Sequence, residues 1–163
     1  MANIILIGMP GCGKSTVGVI LAKTLGIGFV DTDLIIQQRE NRLLQNIIDT
    51  DGIDYFLNCE ADAVKSLDCN NCVVATGGSV VYREDAILHL KKNGKIIFLD
   101  VALDEIKRRL NNINTRGIAA KKNKSIEDIY NERIALYNKY ADVIIKTDGE
   151  SVEKTVEKVC KIF

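Results

Sequence analysis

The chain has 163 residues, 47% hydrophobic and 27% charged, and its 22 Lys and Arg are matched by 22 Asp and Glu. These proportions exclude a disordered or collagen-like chain and describe a single domain, long enough to bury roughly 70% of its unfolded surface. Zero net charge excludes a protein held to nucleic acid by its overall field, so an anionic partner should be small and locally bound.

In chain order, the N-terminus has no basic n-region and runs directly into an apolar strand at residues 4–7, so it does not read as a signal peptide. Gly8-Met-Pro-Gly-Cys-Gly-Lys14-Ser15 follows. From Lys14 the apolar spacing becomes helical, with Val17, Ile20, Leu21 and Leu25 on one face and a stop at Gly26. Residues 29–30 form a short strand ending at Asp31. Two further apolar runs, at Cys72–Ala75 and 95–99, lead to Gly77-Gly78 and to Asp100. Residues 111–124 are polar, basic and long for an α/β connection. They read either as a surface loop or as a lid carrying Arg116. The capping-box pattern Ser125-Ile-Glu-Asp128 should open the next helix. A last strand is expected at 143–145, and a helix from Ser151 with Val152, Val156, Val159 and Cys160 on its apolar face.

No repeat or linker divides this pattern, so residues 1–163 form one domain. Strands with little polar alternation, each followed by a helix, imply a three-layer α/β fold. Its doubly wound parallel sheet should have about five strands, with helices on both faces. Ligands of such sheets gather at the carboxyl ends of the strands. No run of 18 apolar residues could span a bilayer. The five cysteines, Cys12, Cys59, Cys69, Cys72 and Cys160, show no disulfide-scaffold pattern and are expected as reduced thiols. A cytoplasmic monomer, bound neither to membrane nor to nucleic acid, is therefore expected. Cys69-Asn-Asn-Cys72 has redox or half-zinc-site spacing. With no second such pair and a lone histidine, His89, it reads as a polar turn before a strand.

Gly8 to Ser15 satisfies G-x-x-x-x-G-K-[ST] between a strand and a helix, the context the P-loop requires. Its glycines let successive N–H groups, from Gly11, Cys12 and Gly13 onward, converge on phosphate oxygens, and the helix start adds its dipole. Lys14 can reach the β- and γ-phosphates, Ser15 can ligate Mg²⁺, and Thr16 can help through its hydroxyl and N–H. A GTPase base-recognition motif N-K-x-D is not met, because Asn138-Lys139-Tyr140-Ala141-Asp142 has one residue too many. The length fits a small-molecule or nucleotide kinase rather than a motor ATPase or helicase. Asp31 and Asp33, read as i and i+2 on extended backbone, should face the same cleft. One could organise Mg²⁺ while the other takes a proton from a substrate hydroxyl, with helix capping as the alternative role. Arg133 shares a helical face with Ile126, Ile129, Tyr130 and Tyr137. An inward-facing guanidinium there requires an anion, either a ligand or an internal salt bridge.

Taken in order, these motifs resemble the shikimate kinases nearly end to end. The family pattern G-x-x-G-x-G-K-S/T-x-x-G is met from Gly8 to Gly18, and L-A-x-x-L-G followed by D-x-D is met by residues 21–26 and Asp31-Thr-Asp33. G-x-x-x-F…E is met by Gly52…Phe56…Glu60, T-G-G by Thr76-Gly77-Gly78, and R-x-x-L-Y-x-x-x-A-D by Arg133 to Asp142. The resemblance implies ATP-dependent phosphorylation of shikimate to shikimate 3-phosphate, with Mg²⁺. It implies a substrate-binding helical segment at about 32–62 and a lid at about 111–124. Asp33 would orient the acceptor and take its proton, while Ser15 and Asp31 would serve the metal. Gly77, Gly78 and Arg133 would bind the acceptor, Arg109 would stack on adenine, and Arg116 would arrive on the lid. By the same resemblance Asp100, which ends a Walker B-like strand, is a cap or structural contact.

The chain departs from the pattern at specific places. Leu57 replaces the arginine that anchors the substrate carboxylate, Ile53 replaces a glutamate, Ser79 replaces the third glycine of T-G-G-G, and Gly117 replaces the proline after the lid arginine. A lost charge-assisted hydrogen bond costs about 1.5–3 kcal/mol, so acceptor binding should weaken. The alternatives are another metabolite kinase, of gluconate or nucleotide type, and a non-catalytic nucleotide-binding regulator.

Overall fold

Strand β1 (Asn3–Ile7) is buried along its whole length, as a strand covered on both faces must be. It lies at the centre of a sheet ordered β2-β3-β1-β4-β5, with β2 at Gly28–Asp31, β3 at Cys72–Ala75, β4 at Gly94–Asp100 and β5 at Val143–Lys146. The computed structural model describes residues 2–110, 118–120, 123–147 and 149–163. All four pairings are parallel, and Leu6 is in register with Ala75 on one side and Ile97 on the other. Helices cover both faces, giving the doubly wound α/β layout expected from the pattern. The carboxyl ends of the strands therefore share one rim. β1 lies between β3 and β4 where connections depart in opposite directions, which opens a crevice at its carboxyl end.

The helices are α1 (Lys14–Leu25), α2 (Thr32–Glu40), α3 (Leu44–Lys65), α4 (Glu84–Asn93), α5 (Leu103–Leu110), α6 (Ile126–Tyr140) and α7 (Val152–Cys160), with a 3-10 turn at Val80–Tyr82. The helix at Lys14 stops at Gly26 as expected, where the N–H of Ile27 bonds the Ala22 carbonyl. Ser125 and Asp128 close the capping box that starts α6, and Ser151 caps α7. α3 breaks its helical backbone once, at Gly52.

Two apolar clusters hold these layers. The main one joins β1, β3 and β4 to α1, α4, α6 and α7, and the stacked rings of Phe98 and Tyr137, 5.0 Å apart, tie β4 to α6. A satellite of Ile36, Ile47, Phe56, Ala63 and Ala119 seats α2 against α3. Each Ile or Phe among them contributes roughly 1.5–3 kcal/mol on burial.

Asp31 and Asp33 depart from the extended arrangement expected of them. The Asp31 carboxylate accepts the Asp33 N–H at 3.0 Å and caps α2, so the chain turns helical at Thr32 and Asp33 lies in the first turn. Capping competes with strand continuation at an aspartate, and here it prevails. At Cys69-Asn-Asn-Cys72 the polar-turn reading holds. Asn71 has φ 57°, Cys72 opens β3, and the Asn3 amide donates to the Cys69 carbonyl at 2.6 Å. All five cysteines are unbridged, and among the described residues no cluster of three or more His, Cys, Asp and Glu forms a metal site. No described helix is long and apolar enough to cross a membrane.

Candidate active site

The loop from β1 to α1 bends because Gly11 (φ 81°) and Gly13 (φ 97°) occupy the left-handed region that other residues rarely adopt. Lys14, 8% exposed, is drawn over this loop, its ammonium donating to the carbonyls of Gly8 at 2.8 Å and Met9 at 3.0 Å. The first residue of α1 thus carries a positive charge at the positive end of the helix dipole, an arrangement that favours an anion. Arg109 stands over the same loop. Its guanidinium donates to the Gly11 carbonyl at 3.2 Å and to Glu105 at 2.6 Å. Arg108 and Arg109 together hold the Glu105 carboxyl down at about 2.

Asp31 joins the two sides of the crevice. Its Oδ2 accepts the Ser15 hydroxyl at 2.7 Å, while its Oδ1 caps α2. A hydroxyl and a carboxylate side by side at the mouth of a phosphate loop form a hard-oxygen donor pair suited to Mg²⁺, which keeps most of its remaining positions for water and phosphate. Asp33 faces a cleft of about 280 Å³ shared by Lys14, Ser15, Thr16, Gly77, Gly78 and Arg133. Residues named separately from the sequence are therefore brought to one cavity.

The Thr76-Gly77-Gly78 turn is fixed by its neighbours. Thr76 bonds the Leu6 carbonyl through both its N–H and its hydroxyl, and the Gly77 N–H donates to the Thr32 hydroxyl at 3.2 Å. A Cβ on Gly78 would stand 2.8 Å from Pro10 and 3.0 Å from the Arg133 guanidinium, so only glycine permits this contact. Arg133, 1% exposed, donates to the Ala119 carbonyl at 2.6 Å and to the Tyr82 hydroxyl at 3.3 Å, and lies over the Tyr82 ring. The internal salt bridge considered for it is not formed, since no carboxylate among the described residues lies within ion-pair distance. A buried cation so held retains charge for an anion. Arg116 and Gly117 lie outside the described residues, as does most of the lid expected at 111–124.

The sequence reading gave no role to Glu60 or Tyr82. Glu60 lines the cleft, and burial pushes its carboxyl up to about 7. Its signal was present in the spacing: Phe56, Glu60 and Val64 recur every fourth residue on the buried face of α3. Leu57, by contrast, faces a neighbouring cavity of about 220 Å³ with Ile53, Tyr82 and Ala119.

The sequence model of the family described as shikimate kinase matches residues 10–163. The chain belongs to the shikimate kinase family. It is 34% identical over 162 residues to a shikimate kinase of Clostridium botulinum, covering 99% of this chain and 96% of that one. Among solved structures it resembles a shikimate kinase of Acinetobacter baumannii in complex with shikimate, with TM-score 0.89 and 25% identity over 99% of this chain and 92% of that one. It also resembles the shikimate kinase of Aquifex aeolicus, with TM-score 0.83 and 31% identity over 98% and 94% of the two chains. Family membership agrees with the ordered motifs of the sequence, whose P-loop, Asp33 and Arg133 line one cleft.

Proposed function

We propose that the protein transfers the γ-phosphoryl group of ATP to a hydroxyl of shikimate, forming shikimate 3-phosphate. The observation that carries this reading is the single cleft joining the phosphate loop to Asp33 and Arg133, with Arg133 buried and in no ion pair among the described residues. A carboxylate-bearing acceptor supplies that anion, and its hydroxyl then points toward Asp33.

In this reading the backbone N–H groups of Gly11, Cys12 and Gly13, with Ser15 and Thr16, hold the phosphates. Lys14 exchanges its loop carbonyls for phosphate oxygens and stabilises the charge of the transferring group. Ser15 and Asp31 would hold Mg²⁺, which would supply charge neutralisation at the phosphates. Asp33 orients the acceptor hydroxyl and takes its proton. Gly77 and Gly78 let the backbone approach the acceptor, and Arg109 packs on the nucleotide. Arg116 joins from the lid, excluding water that would otherwise hydrolyse ATP. The protein acts as a cytoplasmic monomer.

The test is ADP release measured with shikimate, gluconate and nucleoside monophosphates as acceptors. Turnover with shikimate alone is expected. A preference for gluconate or a nucleotide would reassign the acceptor, and ATP binding without any turnover would leave a regulator. Ile53, Leu57 and Ser79 make this comparison of acceptors necessary.

A further inference from the structure

Glu60 is 1% exposed. Its Oε2 accepts the Ser79 hydroxyl at 2.6 Å, while its Oε1 is buried with no hydrogen-bond partner among the described residues. A carboxylate buried with one oxygen lacking a donor is a costly arrangement, and a neutral acid is less so. Oε1 lies against Gly77, where an added Cβ would overlap it and stand 2.9 Å from Asp33 Oδ1. Glu60 therefore shares the wall of the cleft with Asp33 and Arg133. Burial is the leading cause of its rise to about 7, and Asp33 adds to it, while Ser79, Arg133 and Lys14 oppose it. The buried Tyr137 of α6, whose hydroxyl donates to the Gly78 carbonyl, also lies within its electrostatic reach. From the start of α4, Arg83 and Asp85 engage Asn58 and Lys65 of α3.

We propose that Glu60, clamped by Ser79, is a positioning residue that acts through Arg133 and Asp33 and sets the acceptor pocket's tolerance for an anion. As the neutral acid it leaves the charge of Arg133 to the acceptor and leaves Asp33 as the lone carboxylate beside the reacting hydroxyl. As the carboxylate it takes up part of the Arg133 charge and repels an anionic acceptor. Ser79, one of the chain's departures from the family pattern, is on this account the group that tunes the exchange. The inference rests on the acceptor reading above.

The experiment is the pH profile of KM for shikimate in the full-length protein, with KM for ATP as control. In the wild type, KM for shikimate should rise about tenfold as pH passes through the Glu60 transition. Glu60→Gln keeps the side chain's volume but is neutral at every pH, and should flatten that rise. Ser79→Ala removes a bond that favours the charged form, so the inflection should move to higher pH. A structural role alone would not shift the inflection in that direction. Persistence of the rise in Glu60→Gln, or a downward or absent shift in Ser79→Ala, overturns the proposal.

A second measurement separates this failure from failure of the shikimate reading. Infrared titration of the free protein should show a protonated-carboxyl band that disappears near neutral pH and is missing in Glu60→Gln. If that band is absent, or survives the substitution, the proposal falls whichever acceptor is used. If shikimate is not turned over but the band titrates, the acceptor assignment alone is lost.

Discussion

The nucleotide side and the acceptor side of the cleft are built on different principles. The nucleotide side is mostly backbone: a buried central strand, two left-handed glycines and a helix start, with Lys14 tied to loop carbonyls. Backbone geometry of that kind tolerates few sequences, and here the motif is complete. The proposed acceptor side is built of side chains on α2, α3 and α6; Ser79 departs from the family pattern in the cleft itself, and Ile53 and Leu57 depart from it in the cavity beside it. Recognition by side chains can be rebuilt residue by residue, so departures collect there while the phosphate cradle stays intact.

Substitutions can break this contrast or sharpen it. The largest effect should come from Lys14→Ala, which removes charge from the transferring group and should lower kcat/KM by about a hundred- to a thousandfold. Steady-state kinetics with saturating acceptor decide it, and a loss under tenfold would take Lys14 out of the phosphoryl site. Asp33→Asn should divide the two sides. We expect kcat to fall by about a hundredfold with ATP affinity nearly intact by calorimetry. Loss of ATP binding alone would place Asp33 on the nucleotide side instead.

Leu57→Arg restores the family's charge beside Ala119 and should lower KM for shikimate by about tenfold, leaving KM for ATP unchanged. An unchanged or higher KM for shikimate would mean that the pocket is shaped for another acceptor. The smallest effect belongs to Ser125→Ala at the start of the helix that carries Arg133. Loss of this cap should cost about 1 kcal/mol, seen as a fall of roughly 2–4 °C in Tm. A Tm within experimental error of the wild type would show that Asp128 and the helix packing suffice.

The sequence made the nucleotide side legible because strand burial, glycine spacing and the strand–loop–helix context are local signals. β3 was read with its observed bounds, and the caps at Gly26, Ser125 and Ser151 stand where expected. Asp31 and Asp33 were misplaced relative to one another because capping of α2 depends on Asp31 meeting both Ser15 and the Asp33 N–H. Arg133 was recognised as an inward cation, but its bond to the Ala119 carbonyl comes from a residue 14 positions away with no spacing rule to announce it. The importance of Glu60 depends on Ser79 and Gly77, which reach it only through the fold.

Gly78 has a consequence for the geometry of transfer. It is wedged between Pro10 of the phosphate loop and Arg133 of α6, and its carbonyl receives the Tyr137 hydroxyl at 2.6 Å. The span from the phosphate loop to the proposed acceptor anchor is therefore gauged by the Gly78 backbone between the Pro10 ring and the Arg133 guanidinium, with no side chain of residue 78 in the path. Misplacement by about 1 Å can cost a hundredfold in rate. A fixed gauge of this kind lets the residues that recognise the acceptor change while the distance its hydroxyl must cross stays the same.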